Sequence, residues 1–293
     1  MHKIIVITGP TAVGKTKLSI ELAKKYDGEI INADAVQVYK GLNIGSAKVT
    51  EEEKEGIPHH LLDFKEVTEE YTIYHYQKDC REKIKDIQSR NKTPILVGGT
   101  GLYIKAALYD YKLSEEKNTN TYDNLTNEEL YEELKKLDKD IIIDKDNRRR
   151  LIRAINYYKE NNESINKNKT NKLLYNVIFI GLTTDRQVLY DKINKRVDEM
   201  ISQGLLEEVK SFYDKGIKSK PLLNAIGYRE LYNYLDGNCT KEEAIEKIKQ
   251  NSRHYAKRQY TFFNHQLPIV WFETDYNNFN NTIEKVASYI DSN

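Results

Sequence analysis

The stretch GPTAVGKT, residues 9–16, has the spacing G-x-x-x-x-G-K-T. That is the spacing of a phosphate-binding loop. Gly9 and Gly14 let the backbone bend until its N–H groups point inward at an anion, with Pro10, Thr11, Ala12 and Val13 as the span between them. Lys15 adds a point charge and Thr16 offers a hydroxyl to a magnesium ion. A helix starting there brings the positive end of its dipole. The loop binds phosphate but does not say whose.

A nucleotide hydrolase of this type also needs a strand that ends in a magnesium-holding Asp. The best second strand for that role, PILVGGTG at 94–101, ends in Gly-Gly-Thr with no carboxylate. Asp63, after HHLL, is the only substitute, and no guanine-reading N-K-x-D occurs. A carboxylate stands elsewhere: Asp34 follows the apolar run GEIINA. In doubly wound sheets the carboxyl ends of strands form the ligand crevice, so Asp34 and Thr100 face the phosphate loop. A carboxylate beside bound phosphate is not there to hold it, because like charges repel. It suits a proton acceptor or a reader of a second substrate. A helix cap or an outer magnesium holder is the alternative role.

These residues need elements to position them. Ile4–Thr8 is a short apolar run ending in Gly, as in a buried parallel strand, and Lys15–Lys25 is predicted to be a helix with Leu18 and Leu22 on one face. Further strands are predicted at Glu29–Ala33, His60–Phe64, Ile95–Gly98, Asn176–Leu182 and Ile269–Phe272, with a charged amphipathic helix over Ile73–Arg90. Strands alternating with helices give an α/β fold: a parallel sheet core like that of the P-loop NTPases. Residues 112–172 break the rhythm. They open with SEEKNTNTYDN, contain a capping-box pair Thr126/Glu129 and a basic helix from Asn147 to Lys159, and close with NNESINKNKTNK. The expected organisation is a catalytic core of residues 1–112 and 173–293 with a helical insertion domain at 113–172. A second capping-box pair, Thr240/Glu243, starts a long helix reaching about residue 264.

Of the 293 residues, 39% are hydrophobic and 31% charged, a foldable soluble composition. No apolar run reaches membrane-spanning length, so no membrane partner is expected. The isolated Cys80 and Cys239 suit a reducing cytoplasm and form no zinc pattern. The net charge of +1 hides segregation: KDNRRRLIR (145–153) has five Lys/Arg against one acid, and KIKQNSRHYAKR (247–258) has five and none. Lys249, Arg253 and Lys257 are spaced by four, as are Arg149 and Arg153, so each set shares a helix face. Such stripes can follow a phosphate backbone, although a solvated face is the commoner use of a charge run. His59 and His60 are adjacent, which on a strand points them to opposite faces and favours packing over metal binding.

Taken together, these stretches resemble the tRNA dimethylallyltransferase (tRNA isopentenyltransferase) family. The matching segments are GPTAVGKT (9–16), DAVQVYKGLNIGSAK (34–48), GIPHHLLD (56–63), VGGTGLY (97–103), RRLIRA (149–154), RVDEMISQGLLEEV (196–209), AIGYRE (225–230) and R-x-x-x-K-R-Q (253–259), in family order. Ala35 stands where the family commonly has Ser, and Phe262 where it commonly has Trp. The resemblance implies transfer of a dimethylallyl group from dimethylallyl diphosphate, with magnesium (Mg2+) assisting. The acceptor is the exocyclic amine of the adenine 3′ to the anticodon, in tRNAs reading codons that start with U. It implies that residues 9–16 hold the leaving diphosphate, with Arg229 a further donor. Asp34 is then the proton acceptor, and Ala35, Val36, Gln37 and Thr100 contact the adenine side. Arg149, Arg150, Arg153, Lys249, Arg253, Lys257 and Arg258 would meet the tRNA anticodon stem-loop. A monomer is expected. The competing readings are an isopentenyltransferase for free adenine nucleotides, a P-loop small-molecule kinase, and a P-loop RNA-binding protein without catalysis.

Overall fold

The computed structural model describes residues 3–111, 113, 122–166 and 171–293. Most of the polar opening SEEKNTNTYDN and part of the closing linker lie outside them. Six strands form one parallel sheet: β1 Ile4–Thr8, β2 Gly28–Asn32, β3 His59–His60, β4 Thr93–Val97, β5 Val177–Thr183 and β6 Val270–Glu273, in the order β3-β2-β4-β1-β5-β6. The helices are α1 Lys15–Lys25, α2 Glu51–Lys54, α3 Ile73–Ser89, α4 Gly101–Leu108, α5 Asn127–Leu137, α6 Arg148–Asn161, α7 Arg186–Ser202, α8 Leu205–Tyr213, α9 Lys220–Asn224, α10 Tyr228–Leu235, α11 Lys241–Gln266 and α12 Phe279–Asp291.

All five residues of β1 are buried, which explains its unbroken apolar run: helices cover both faces of a parallel sheet. β1 pairs with β4 on one side (Ile5 opposite Ile95) and with β5 on the other (Ile5 opposite Ile178). The chain therefore leaves the sheet centre in both directions, and the crevice opens at the carboxyl end of β1, where the phosphate loop begins. Ile5, Ile7, Leu18, Leu22, Ile30, Ile95, Ile180 and Ile193 belong to the core that welds sheet to helices. α11 starts at its predicted cap, with Thr240 and Glu243 exchanging side chain-to-backbone bonds of 3.2 and 2.8 Å.

Five of the predicted strands lie within a residue or two of the observed ones. The third does not: the strand expected over His60–Phe64 is two residues, His59–His60, because Leu61 (φ 56°) and Asp63 (φ 55°) are left-handed and end the extended chain. The two histidines do diverge. His59 Nδ1 contacts the Ile57 carbonyl at 2.8 Å, and His60 Nε2 meets Glu29 at 2.7 Å.

The described chain divides into two compact units, Met1–Ala107 with Tyr175–Asn293, and Leu108–Leu174. The second unit is an α-hairpin. Leu130 and Leu134 of α5 pack with Leu151, Ala154 and Ile155 of α6. Asn147 caps α6, and Arg148 donates to the Leu125 and Tyr122 carbonyls, each at 2.5 Å. An isolated bridge joins Tyr109 and Leu173 at its base.

Glu29 is the unusual residue of the sheet, 3% exposed at the amino end of β2. Arg90 Nη2 donates to it at 2.9 Å, Arg90 Nη1 donates to its other oxygen, and His60 adds a third contact. The Arg90 hydrogen bonds hold its carboxyl down at about 2, against an ordinary 4.5. A depressed carboxylate stabilises the fold above its unfolded value, and that stability is lost as pH falls through the folded value. Arg90 is 41% exposed, so solvent screens part of the interaction. Glu29→Gln should therefore cost about 2 kcal/mol at neutral pH. Its gap from wild type should close as pH falls from about 4.5 to about 2, measured by urea unfolding.

Candidate active site

The phosphate loop is shaped by its strand and by what leans on it. Gly9 (φ +132°) leaves β1 so close to β5 that a Cβ would lie 2.4 Å from the Leu182 carbonyl oxygen, and Gly14 (φ +91°) turns the chain into α1. Ala12 is also left-handed, at φ 67°. From outside the loop, Thr274 donates to the Val13 carbonyl at 3.0 Å and Tyr276 to the Ala12 carbonyl at 3.3 Å. With those carbonyls drawn outward, the N–H groups of residues 11–14 have no acceptor among the described residues. They form the concave donor nest that the sequence spacing implied.

The loop forms one edge of a cavity of about 970 Å³, which Lys15, Thr16, Asp34–Gln37, Thr100, Arg196, Arg229, Tyr255, Arg258 and Gln259 also line. Lys15 Nζ donates to the Gly9 and Pro10 carbonyls at 3.0 and 2.6 Å. Burial, and then the neighbouring Arg196 charge, pull its ammonium down to about 7, while Asp34 opposes the shift. Burial likewise lowers the Arg196 guanidinium, opposed first by Asp34. Arg196 has no hydrogen-bond acceptor among the described residues. It projects from the α7 face that also carries Ile193, Val197 and Met200 to the cavity. A desolvated guanidinium in an apolar stripe is a seat for an anion. The candidate residues read from the sequence omit it. Its signal was there, as a lone Arg at the helical spacing of an apolar face.

Asp34 lies across the cavity. Asn32 fixes its backbone, accepting from Asp34 N at 3.1 Å and donating to the Asp34 carbonyl at 3.1 Å. One carboxylate oxygen caps the following turn, accepting from Val36 N at 2.8 Å and Gln37 N at 3.4 Å. The other has no donor among the described residues. Asp34 thus both caps a turn and presents a free oxygen to the cavity. Ala35 N donates to Thr100 Oγ1 at 3.0 Å, which ties the ends of β2 and β4 together. Burial and the Asp34 charge push the Tyr255 phenol upward, so it stays protonated beside Thr100 and Gln259.

Other expected site residues are arranged differently from their sequence roles. The Gln37 amide group donates to the Ser46 and Ala47 carbonyls at 3.0 and 3.2 Å, leaving its carbonyl oxygen for a ligand. Arg229 lines the cavity, but its Nε and Nη2 donate to Glu230 at 3.1 and 2.6 Å, so its charge is already half committed. The stripe on α11 has partners within the protein. Lys249 pairs with Asp198 at 2.7 Å and Arg253 with Asn194 at 2.6 Å, both on α7. The spacing that aligns them also puts them within reach of a neighbouring helix. Lys257 and Arg258 are exposed, and Arg258 reaches the cavity. On α6, Arg149 and Arg150 are exposed and Arg153 is half-buried. Asp63 is held by Lys48 and does not line the cavity.

No group of three or more His, Cys, Asp or Glu side chains that could cage a metal exists among the described residues. Thr16 at the head of α1 still fits magnesium, which keeps most of its waters and takes one or two protein oxygens beside phosphate oxygens. No described helix is long and apolar enough to cross a membrane.

Fold and cavity define a P-loop α/β protein with an anion seat facing a carboxylate. Residues 37–266 match the IPP transferase family. The tRNA dimethylallyltransferase of Anoxybacillus flavithermus is 50% identical over 99% of this chain and 96% of its own, and that of Geobacillus thermodenitrificans 48% over the same shares. The solved tRNA delta(2)-isopentenylpyrophosphate transferase of Staphylococcus epidermidis superposes with a TM-score of 0.77 at 40% identity, covering 100% of this chain and 99% of that one. A eukaryotic dimethylallyltransferase acting on tRNA superposes at 0.89 with 30% identity, covering 100% and 79%. The chain belongs to the IPP transferase family.

The Lys15 shift carries a stability cost of known sign. Its folded value, about 7, lies below the ordinary 10.5, so the unfolded chain binds the proton more readily between them. The cost is full below about 7 and disappears as pH rises to 10.5. Lys15→Met should gain about 2 kcal/mol of unfolding free energy at neutral pH. Chemical denaturation from neutral pH upward should show that gain fading; a constant gap would contradict the desolvation.

Proposed function

We propose that the protein transfers a dimethylallyl group from dimethylallyl diphosphate to the exocyclic amine of the adenosine 3′-adjacent to the anticodon, in tRNAs reading codons that start with U. The observation that carries this reading is the opposition of the phosphate loop and Arg196 to the free oxygen of Asp34 across one cavity. The names of the relatives point the same way.

The chemistry follows from the charges. The allylic C–O bond of the donor breaks, and its electron pair leaves with the diphosphate. The N–H groups of residues 11–14, Lys15 and Arg196 meet that growing charge as donors already fixed in place by the fold. Magnesium held at Thr16 would supply further neutralisation of the leaving group. The adenine amine attacks the freed allylic carbon, and its N–H becomes acidic only as the C–N bond forms. The uncapped oxygen of Asp34 takes that proton. Ile193, Val197, Met200, Leu205, Ile226 and Ile248 give the cavity an apolar wall suited to the prenyl tail. Gln37 presents its carbonyl oxygen to the base, and Thr100 holds the backbone between them.

Against a kinase, β4 is followed by Gly-Gly-Thr, with no carboxylate to hold the metal of ATP. Against a free adenine nucleotide as acceptor stand the exposed cations Arg258, which lines the cavity, its neighbour Lys257, and Arg149 and Arg150 on α6, which suit a polyanion.

Purified protein, magnesium and dimethylallyl diphosphate should prenylate an anticodon stem-loop without ATP; a strict ATP requirement would remove the reading. Asp34→Asn keeps the turn cap but loses basicity. It should bind both substrates and transfer at least roughly a hundredfold more slowly in single turnover. Rescue by excess magnesium would instead make Asp34 a metal holder and revive the kinase. Lys257→Ala should reduce the salt slope of RNA binding by about one.

A further inference from the structure

Glu208, on α8, touches none of the reacting groups placed above, yet its carboxylate gathers four donors. Oε2 accepts from Asn43 N at 3.1 Å and Ile44 N at 2.8 Å, Oε1 from Gly45 N at 3.1 Å, and the Tyr228 hydroxyl also donates to Oε1. Among the described residues no Lys, Arg or His side chain forms an ion pair with it. Three consecutive backbone N–H groups on one carboxylate make an anion nest, here filled by the protein itself.

The segment it grips runs straight to the cavity. After Gly45 come Ser46 and Ala47, whose carbonyls hold both amide hydrogens of Gln37. Ser46 Oγ donates to the Leu42 carbonyl at 2.6 Å and Lys48 Nζ to the Tyr39 carbonyl at 2.7 Å, so the segment is cross-tied at both ends. Gly45 is required by the same clamp: a Cβ there would fall 2.5 Å from the Tyr228 ring. Tyr228 itself precedes Arg229 of the cavity lining. A surface carboxylate serving only α8 would need none of this convergence.

We propose that Glu208 is a positioning residue for the RNA acceptor: it clamps residues 43–47 so that their carbonyls orient Gln37, whose free oxygen then faces the acceptor base. The inference rests on the proposed transfer to RNA. Its chemistry is directional. Glu208→Gln replaces one acceptor oxygen by an NH2 group, which would face backbone N–H groups or the Tyr228 hydroxyl.

The test combines hydrogen exchange with steady-state transfer to an anticodon stem-loop. In Glu208→Gln, amide exchange at residues 43–45 should speed by about tenfold or more, while protection in α1 and α11 is kept. The KM for the stem-loop should rise about tenfold with the KM for dimethylallyl diphosphate unchanged. In a Gln37→Ala background the same substitution should add nothing to the stem-loop KM, because the two act in series. Glu208→Asp, which keeps the carboxylate, should recover part of the shift. Tyr228→Phe removes one donor with the carboxylate intact and should shift the stem-loop KM less, in the same direction; it serves should Glu208→Gln fail to fold. Unchanged exchange at residues 43–45, effects of Glu208→Gln and Gln37→Ala that multiply, or both substrate KM values rising together would overturn the proposal. Absence of wild-type transfer to RNA would overturn the proposed function and the acceptor role with it. Normal wild-type transfer with an unmoved stem-loop KM in the variants would overturn the role of Glu208 alone.

Discussion

Two desolvated cations facing one carboxylate set the terms for the rest of this protein. Lys15 and Arg196 lie close enough that Arg196 disfavours the charge on Lys15, and burial disfavours the charge on both. Only Asp34 opposes the shift on Lys15, and it spends one oxygen on its own turn. A folded chain tolerates such a group only where the surrounding structure over-determines its place. The parallel sheet does so here. β1 is bonded on both sides, so the loop that carries Lys15 starts from an interior strand of the sheet.

The acceptor side is fixed by a different means. Asp34 and Thr100 stand at the ends of β2 and β4, which are neighbours in the sheet, and the Ala35–Thr100 bond locks one strand end to the other. The donor side is thus organised by a turn with its carbonyls pulled outward, the acceptor side by side chains that cap backbone. Among the groups left without a partner among the described residues are the loop N–H groups, the Arg196 guanidinium, one oxygen of Asp34, the side-chain carbonyl of Gln37 and the buried Oε1 of Gln259.

Much of this was legible in the order of residues. The phosphate loop, the strands around it, the helical insertion and the capping boxes at Thr126 and Thr240 are local signals, carried by spacing within a few residues. What the order of residues leaves open is partly local and partly of longer range. The third strand was overestimated because left-handed turns at Leu61 and Asp63 leave no clear trace in residue type. The partners of Lys249, Arg253 and Arg229 depend on which helix lies alongside, and periodicity gives a face without saying what meets it. Arg196 and Glu208 stood inside a recognisable motif, but their roles come from what converges on them in space.

The basic helix also has a role inside the protein. Asn194 and Asp198 on α7 are one turn apart and hold Arg253 and Lys249 of α11. Ile193, Val197 and Met200, on an adjacent face, place α7 against the cavity, and Arg196 travels with them. Lys249 and Arg253 therefore help seat the helix whose own arginine lines the cavity. The opposite face of α11 brings Tyr255 and Gln259 to Thr100 and Gly99. One long helix is thereby keyed to the donor side through α7 and to the acceptor side through its own side chains. Its 26 residues are long enough to span both, which couples the spacing of the Arg196 and Thr100 sides of the cavity to the rigidity of a single element.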